Sequence, residues 1–193
     1  MGHNSEWAER VARDLLAEPL PRRWAHTKGV AAQAKSLSGI LGNHSDLITA
    51  AAWLHDIGYA SAVAASGFHP LDGARYLRDV RHADMRLCRL VAHHTCAVIE
   101  AEERGLADAL LAEFETERPE LADALTYCDM TTGPDGRPLT VEERLAEIRA
   151  RYGRGHVVDR SIKRATPRIK KSARAVRRQL LVYPMTGVPE PCR

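Results

Sequence analysis

Apolar residues along this 193-residue chain return every three or four positions, and no run of β-branched residues alternates with polar ones. That period places them on one face of successive helices rather than on one face of a strand, so the chain is constrained to an all-α fold. Helices are expected over 6–17 (ending before Pro19), 21–41 (stopped by Gly42-Asn43), and from Ser45 to the pair His55-Asp56. His69-Pro70 opens another, because proline is favoured at the first helical position. Further helices are expected over 83–94, 106–117 and 120–129, and from Thr166-Pro167 to about Val182. Thr140-Val141-Glu142-Glu143 has the spacing of a capping box and predicts a helix to about Arg151.

The length fits one domain with an appended terminal element, divided here as an N-terminal helix (1–19), a helical core (20–132) and a C-terminal helical extension (133–193). With 45% hydrophobic residues spread along the chain, collagen-like, mucin-like and wholly disordered classes are excluded. The net charge of +3 averages two unlike parts. Residues 1–150 carry 16 basic and 23 acidic side chains, and residues 151–193 carry 12 and 2. No apolar stretch is long enough to span a membrane, and the polar segment from Met1 to Arg13 has no signal-peptide core. Cys88, Cys96, Cys128 and Cys192 lack CxxC spacing and read as free thiols, which together with the missing signal core points to the cytoplasm.

Helical phase sorts the histidines. At about 100° per residue, Leu87, Leu90 and Val91 define a buried face that includes His94, whereas His93 turns toward Arg86 and Arg89. Leu47, Ile48 and Ala51 put His55 on a core stripe with Asp56 beside it, and Leu121, Ala122 and Leu125 do the same for Asp129. His26 lies one turn before Val30. A carboxylate on a core face is costly unless it is paired or binds a metal. Imidazoles and carboxylates converging from four helices suit Zn, Mn or Fe, and the oxygen donors also admit Mg.

The ordered set His26, His55-Asp56-Ile57-Gly58 and Asp129, with the segment from Arg23 to Ala31 around His26, resembles the HD superfamily of metal-dependent phosphohydrolases over residues 20–132. The resemblance implies a single HD-domain helical bundle carrying a basic C-terminal helix. It implies that His26, His55, Asp56 and Asp129 hold one divalent ion, with His55 and Asp56 at the catalytic core. Phe68-His69-Pro70 and His93-His94-Thr95 are similar to the additional histidine positions of dinuclear members. There His69 and one or both of His93 and His94 hold a second ion, with Asp56 bridging, and phase favours His94. The pattern is closest to the small dinucleoside tetraphosphate hydrolase-like branch. Cys96-Ala97-Val98 differs from the GYP motif of the cyclic-dinucleotide phosphodiesterases, and Ile57-Gly58-Tyr59 differs from the acidic pair of the guanosine tetraphosphate branches.

These likenesses imply hydrolysis of a phosphomonoester or phosphoanhydride, of a nucleotide, by a metal-activated water with one or two divalent ions (Fe, Mn, Mg or Zn). Tyr59 stands where several phosphodiesterases of the superfamily place a phosphate-holding lysine, so the phosphate grip must come from elsewhere. Arg22, Arg23 and Arg75 are the candidates. Two rivals remain: a di-iron oxygenase of the same superfamily, which uses the same ligands, and a non-catalytic nucleotide-binding regulator. The partner implied is a small phosphorylated molecule, not a membrane.

Between Arg151 and Arg178, eleven basic residues face only Asp159. Ile169, Ala173, Val176 and Leu180 form a stripe suited to docking, leaving Lys170, Lys171, Arg174, Arg177 and Arg178 outward. That face is open to three readings: a solvated surface, a surface that steers an anionic substrate, or a nucleic-acid contact. Only Tyr152 and Tyr183 flank it, so the nucleic-acid reading lacks interleaved aromatics.

Overall fold

A computed structural model describes residues 4–182. Among these every regular element is helical, and the isolated bridge between Thr132 and Pro138 forms no strand. No helix among them is long and apolar enough to cross a membrane. The three cysteines among them, Cys88, Cys96 and Cys128, are free thiols. Cys192 and Tyr183 lie outside the described residues.

The central element is α4 (Ser45–Leu54), whose residues from Ile48 to Leu54 are all buried. Helices α1 (Ser5–Leu16) and α2 (Pro21–Ser36) pack on it. Helix α1 is started by Asn4, whose side chain accepts from the Trp7 N–H. A short α3 (Ser38–Leu41) follows α2. Helix α5 (His69–Asp79) packs on α6 (Met85–His93), and both α6 and α9 (Pro119–Met130) reach α4. Helices α7 (Ala97–Arg104) and α8 (Ala107–Glu113) lie between α6 and α9 in the chain. Helix α10 (Val141–Tyr152) begins with the expected capping box between Thr140 and Glu143. Helix α11 (Val157–Val182) runs against α9, α7 and α10.

Four expectations change. The helix expected over 21–41 breaks at Leu37, where the Leu37 N–H bonds back to Ala34 and Lys35 carbonyls and the Ser36 hydroxyl takes the Gln33 carbonyl. That competing hydroxyl tightens the last turn. The helix expected over 106–117 stops at Glu113, because Phe114 turns extended to bury its ring completely. Helix α7 is an element the periodicity did not single out. Helix α11 starts at Val157, nine residues before the expected Thr166-Pro167, and carries Pro167 in its interior. An interior proline costs about 3 kcal/mol. Ile162, Ala165, Ile169, Ala173 and Val176 continue one buried face across it, and a fully buried isoleucine alone contributes roughly 1.5–3 kcal/mol. Burial outweighs the break.

Two local devices set up the centre of the molecule. Buried Asp72 accepts from the Ala65 and Ser66 N–H groups and the Ser66 hydroxyl, which fixes the loop leading to His69. Gly58 packs directly on the start of α5: a Cβ there would sit 2.0 Å from the His69 carbonyl oxygen. No other residue lets the His55–Gly58 turn close on His69.

Candidate metal centre

His26 on α2, His55 at the end of α4 and Asp129 on α9 are buried and present donor atoms within 4.8 Å of one another. His26 Nε2 lies 3.0 Å from Asp129 Oδ1, and its Nδ1–H donates to the Gly133 carbonyl at 3.0 Å. The close packing of Gly29 on Gly136 makes that contact possible, since a Cβ on Gly29 would come within 2.4 Å of the Gly136 carbonyl oxygen. His55 Nδ1–H donates to the Ala52 carbonyl at 2.8 Å, which leaves Nε2 as the free lone pair facing inward. The Thr95 hydroxyl donates to Asp129 Oδ2, so the two oxygens of that carboxylate are held on different partners.

A second group, Asp56, His69 and His94, meets the same distance condition. His69 Nε2 and His94 Nε2 are 3.2 Å apart, and His94 Nδ1–H donates to the Val91 carbonyl at 2.6 Å. Asp56 stands between the groups. Its Oδ2 is 3.3 Å from His55 Nε2 and 3.9 Å from His26 Nε2, while its Oδ1 is 3.4 Å from His69 Nε2. Each oxygen faces one group, the disposition of a bridging carboxylate.

The backbone after His94 is strained. Thr95 and Cys96 both take left-handed conformations, at φ 49° and 62°. For a β-branched residue this is costly and persists only where surrounding structure enforces it, commonly at functional sites. Here it turns the Thr95 hydroxyl toward Asp129.

Electrostatics hold both carboxylates ionised. Burial pushes Asp56 upward, but Arg23, at 2.8 Å from Oδ2, and His55 outweigh it and hold the carboxyl well below the usual range. Burial also opposes ionisation of Asp129, and His26, His55 and Arg144 override it. Burial first, then neighbouring cations, push His69 and His94 below the ordinary imidazole value. At His55 burial is outweighed by Asp56, then Asp129, which hold it above that value, so a metal at His55 would displace a proton. Ionised carboxylates and neutral imidazoles are the forms that bind metal.

The residues fit a divalent ion on a direct observation: His55 Nε2 is fully buried, oriented by its other nitrogen, and left without a hydrogen-bond partner, with Asp56 Oδ2 3.3 Å away. An orphaned buried lone pair beside two carboxylates is costly unless a cation takes it. The nitrogen–oxygen donor set admits Fe, Mn or Zn, and its oxygens admit Mg.

Of the residues expected from sequence, the structure brings together His26, His55, Asp56, His69, His94 and Asp129. It does not bring His93 to them. The His93 Nε2–H donates to the Phe114 carbonyl at 2.7 Å, because its side chain points to the α8–α9 connection. Arg23 lies on Asp56 and also over the Tyr59 ring at 4.0 Å, which in turn stacks on His69. Arg22 is at the surface, 3.8 Å from Glu147, and Arg75 pairs with Glu113 away from the centre.

Above the donors opens a cleft whose far wall is Arg144, Ile148, Arg151 and Tyr152 of α10 with Val158 and Ile162 of α11. Sequence reasoning missed Arg144, which is 3% exposed, 3.8 Å from Asp129 Oδ1 and 2.6 Å from Glu147. The signal was present: Val141, Arg144, Leu145 and Ile148 are spaced as one core-facing stripe, the criterion that found Asp129.

A family model described as HD domain matches residues 23–148, more than half of the chain. No curated protein and no solved structure matches the chain. The matched span begins at Arg23, contains every donor of both groups, and ends at Ile148 in the cleft wall. With an all-α bundle around these donors, the chain belongs to the HD-domain family.

Proposed function

We propose that the protein is a metal-dependent phosphohydrolase that releases phosphate from a phosphomonoester or phosphoanhydride, with a nucleotide as the expected carrier. One observation carries this reading: two His/Asp donor groups adjoin, with Asp56 of one within 3.3 Å of His55 of the other, at the floor of a cleft lined by Arg23, Arg144 and Arg151. His26, His55, Asp56 and Asp129 would hold one ion, and His69 and His94, with Asp56 shared, a second. Such ions supply Lewis acidity, lowering the pKa of water and polarising a phosphoryl oxygen.

The chain's own groups do the positioning. Backbone carbonyls of Gly133, Ala52 and Val91 fix His26, His55 and His94 with Nε2 inward. Arg23, Arg144 and Arg151 offer guanidinium forks to phosphoryl oxygens and to the charge that builds on the leaving oxygen. Ile148, Val158 and Ile162 form an apolar wall against the non-reacting part of a small substrate and exclude water there.

The test is phosphate release from nucleotides and generic phosphoesters by the metal-loaded chain, beside Asp56→Ala. Metal-dependent release that the variant loses is the expected result. Full activity of Asp56→Ala overturns the assignment, and turnover that instead requires oxygen and two irons replaces hydrolysis with oxygenase chemistry.

A further inference from the structure

A second cavity adjoins the metal cleft, lined by Arg22 and Arg23 at the start of α2, Arg144 and Arg151 of α10, and a rim that includes Pro21 and Pro134. Arg23, His26, Arg144 and Arg151 line both cavities, so the two are contiguous through shared side chains.

The charge here is unbalanced. Glu147 is 3.8 Å from Arg22, 2.6 Å from Arg144 and 3.5 Å from Arg151. Among the described residues no other carboxylate pairs with Arg22 or Arg151, and Arg144 has in addition only Asp129 at 3.8 Å. Arg23 is already engaged with Asp56. Three guanidiniums therefore share Glu147, with Asp129 reaching only Arg144, an excess of positive charge that an anion in the cavity would offset. A separate observation points the same way. Arg144 is 3% exposed, and its Nε–H has no hydrogen-bond partner. A buried guanidinium with an unpaired N–H is short of compensating acceptors, and Arg144 lines both cavities, where an anion would offset its charge. Guanidinium forks match phosphate oxygens geometrically.

We propose that this arginine-lined cavity binds a second phosphoryl group of the same substrate whose first phosphoryl group lies at the metal centre, so the substrate class is polyphosphorylated. The assignment rests on the phosphohydrolase reading and deepens it. Arg144 and Arg151 stand at the junction and contact both groups. Glu147 holds the three guanidiniums in place and weakens the anion's binding by its own charge.

The experiment is titration calorimetry of the metal-loaded full chain with inorganic tripolyphosphate and with orthophosphate. One tripolyphosphate binds per chain, more than about tenfold tighter than orthophosphate, the factor expected of one added charge-assisted contact. Arg22 is exposed, so Arg22→Ala folds, and in it the ratio of the two affinities falls about tenfold. Glu147→Gln raises the ratio. Arg174→Ala, on the outer face of α11, leaves it unchanged. An unchanged ratio in both Arg22→Ala and Glu147→Gln, or an equal fall in Arg174→Ala, overturns the proposal. Phosphate release is assayed separately. Its absence with the binding pattern intact removes the hydrolase reading alone, and its presence with an unchanged ratio removes the second subsite alone.

Discussion

The ligand-bearing body and the C-terminal helices α10 and α11 use charged residues in opposite ways. In the body, His26, His55, Asp56, His94 and Asp129 are buried with their donor atoms converging, and one of them, His55 Nε2, is left unsatisfied. On α11 several basic residues lie at the surface and pair with acids of the body, Arg160 and Arg164 with Glu103 and Arg168 with Asp123, while Lys170 pairs with Glu142 of α10. Buried groups with an unmet partner specify a ligand. Exposed pairs mostly neutralise, and each contributes about 0–1 kcal/mol. The division of charge between an acidic body and a basic extension is thus in part a docking arrangement, carried by Arg160, Arg164 and Arg168. Arg144 and Arg151 of α10 are the exceptions that turn toward the cleft.

The largest effect is expected at Asp56. Losing a residue behind a metal ligand typically costs 10–100-fold, so Asp56→Asn, which removes a charge shared by both groups, lowers metal-dependent turnover by more than about 100-fold. Steady-state kinetics at saturating metal check this. Next comes Ile169→Ala on the docked face of α11: the residue is fully buried, and the unfolding free energy falls by roughly 2–4 kcal/mol in denaturant titration. Thr95→Val keeps the shape but removes the hydroxyl on Asp129, and metal affinity by calorimetry drops about tenfold.

A smaller effect belongs to Asp159. Lys163, then the Gly155 N–H, then Arg149 hold this buried carboxylate well below its usual range. A depressed folded value means its contribution is complete above the unfolded pKa of about 3.9 and is lost as pH falls below it. The stability difference between the protein and Asp159→Asn is therefore flat from about pH 5 upward and shrinks under acid, as thermal melts across pH will record. Smallest is charge reversal at Lys171 on the exposed α11 face, which shifts stability by no more than about 0.5 kcal/mol. A large loss there would place the face in the core of the account rather than at its edge.

How far the sequence carried depended on whether a residue's role follows from its helical phase. Phase places His55, His94 and Asp129 on core stripes, and the His55-Asp56 dipeptide with Gly58 marks the turn that closes on α5. Phase also separates His94 from His93. It does not reveal what a surface side chain meets across the fold, and so Arg75 reads as a phosphate candidate in the sequence although Glu113 stands opposite it in the fold. Helix α7 escaped because it begins after Thr95 and Cys96, whose left-handed backbone no periodicity encodes. Pro167 argued for a helix start, and only the continuous burial from Ile162 to Val176 shows why the helix passes through it. Arg144 was legible in principle, as a charged residue on an otherwise apolar stripe.

The proposed function turns on two donor groups meeting at Asp56, which elemental analysis of the full chain after loading with Mn, Fe or Zn will decide. Two tightly held ions per chain are expected, falling when Asp56 is replaced by asparagine. Retention of one ion or none from all three metals would mean that the two groups do not form a shared centre.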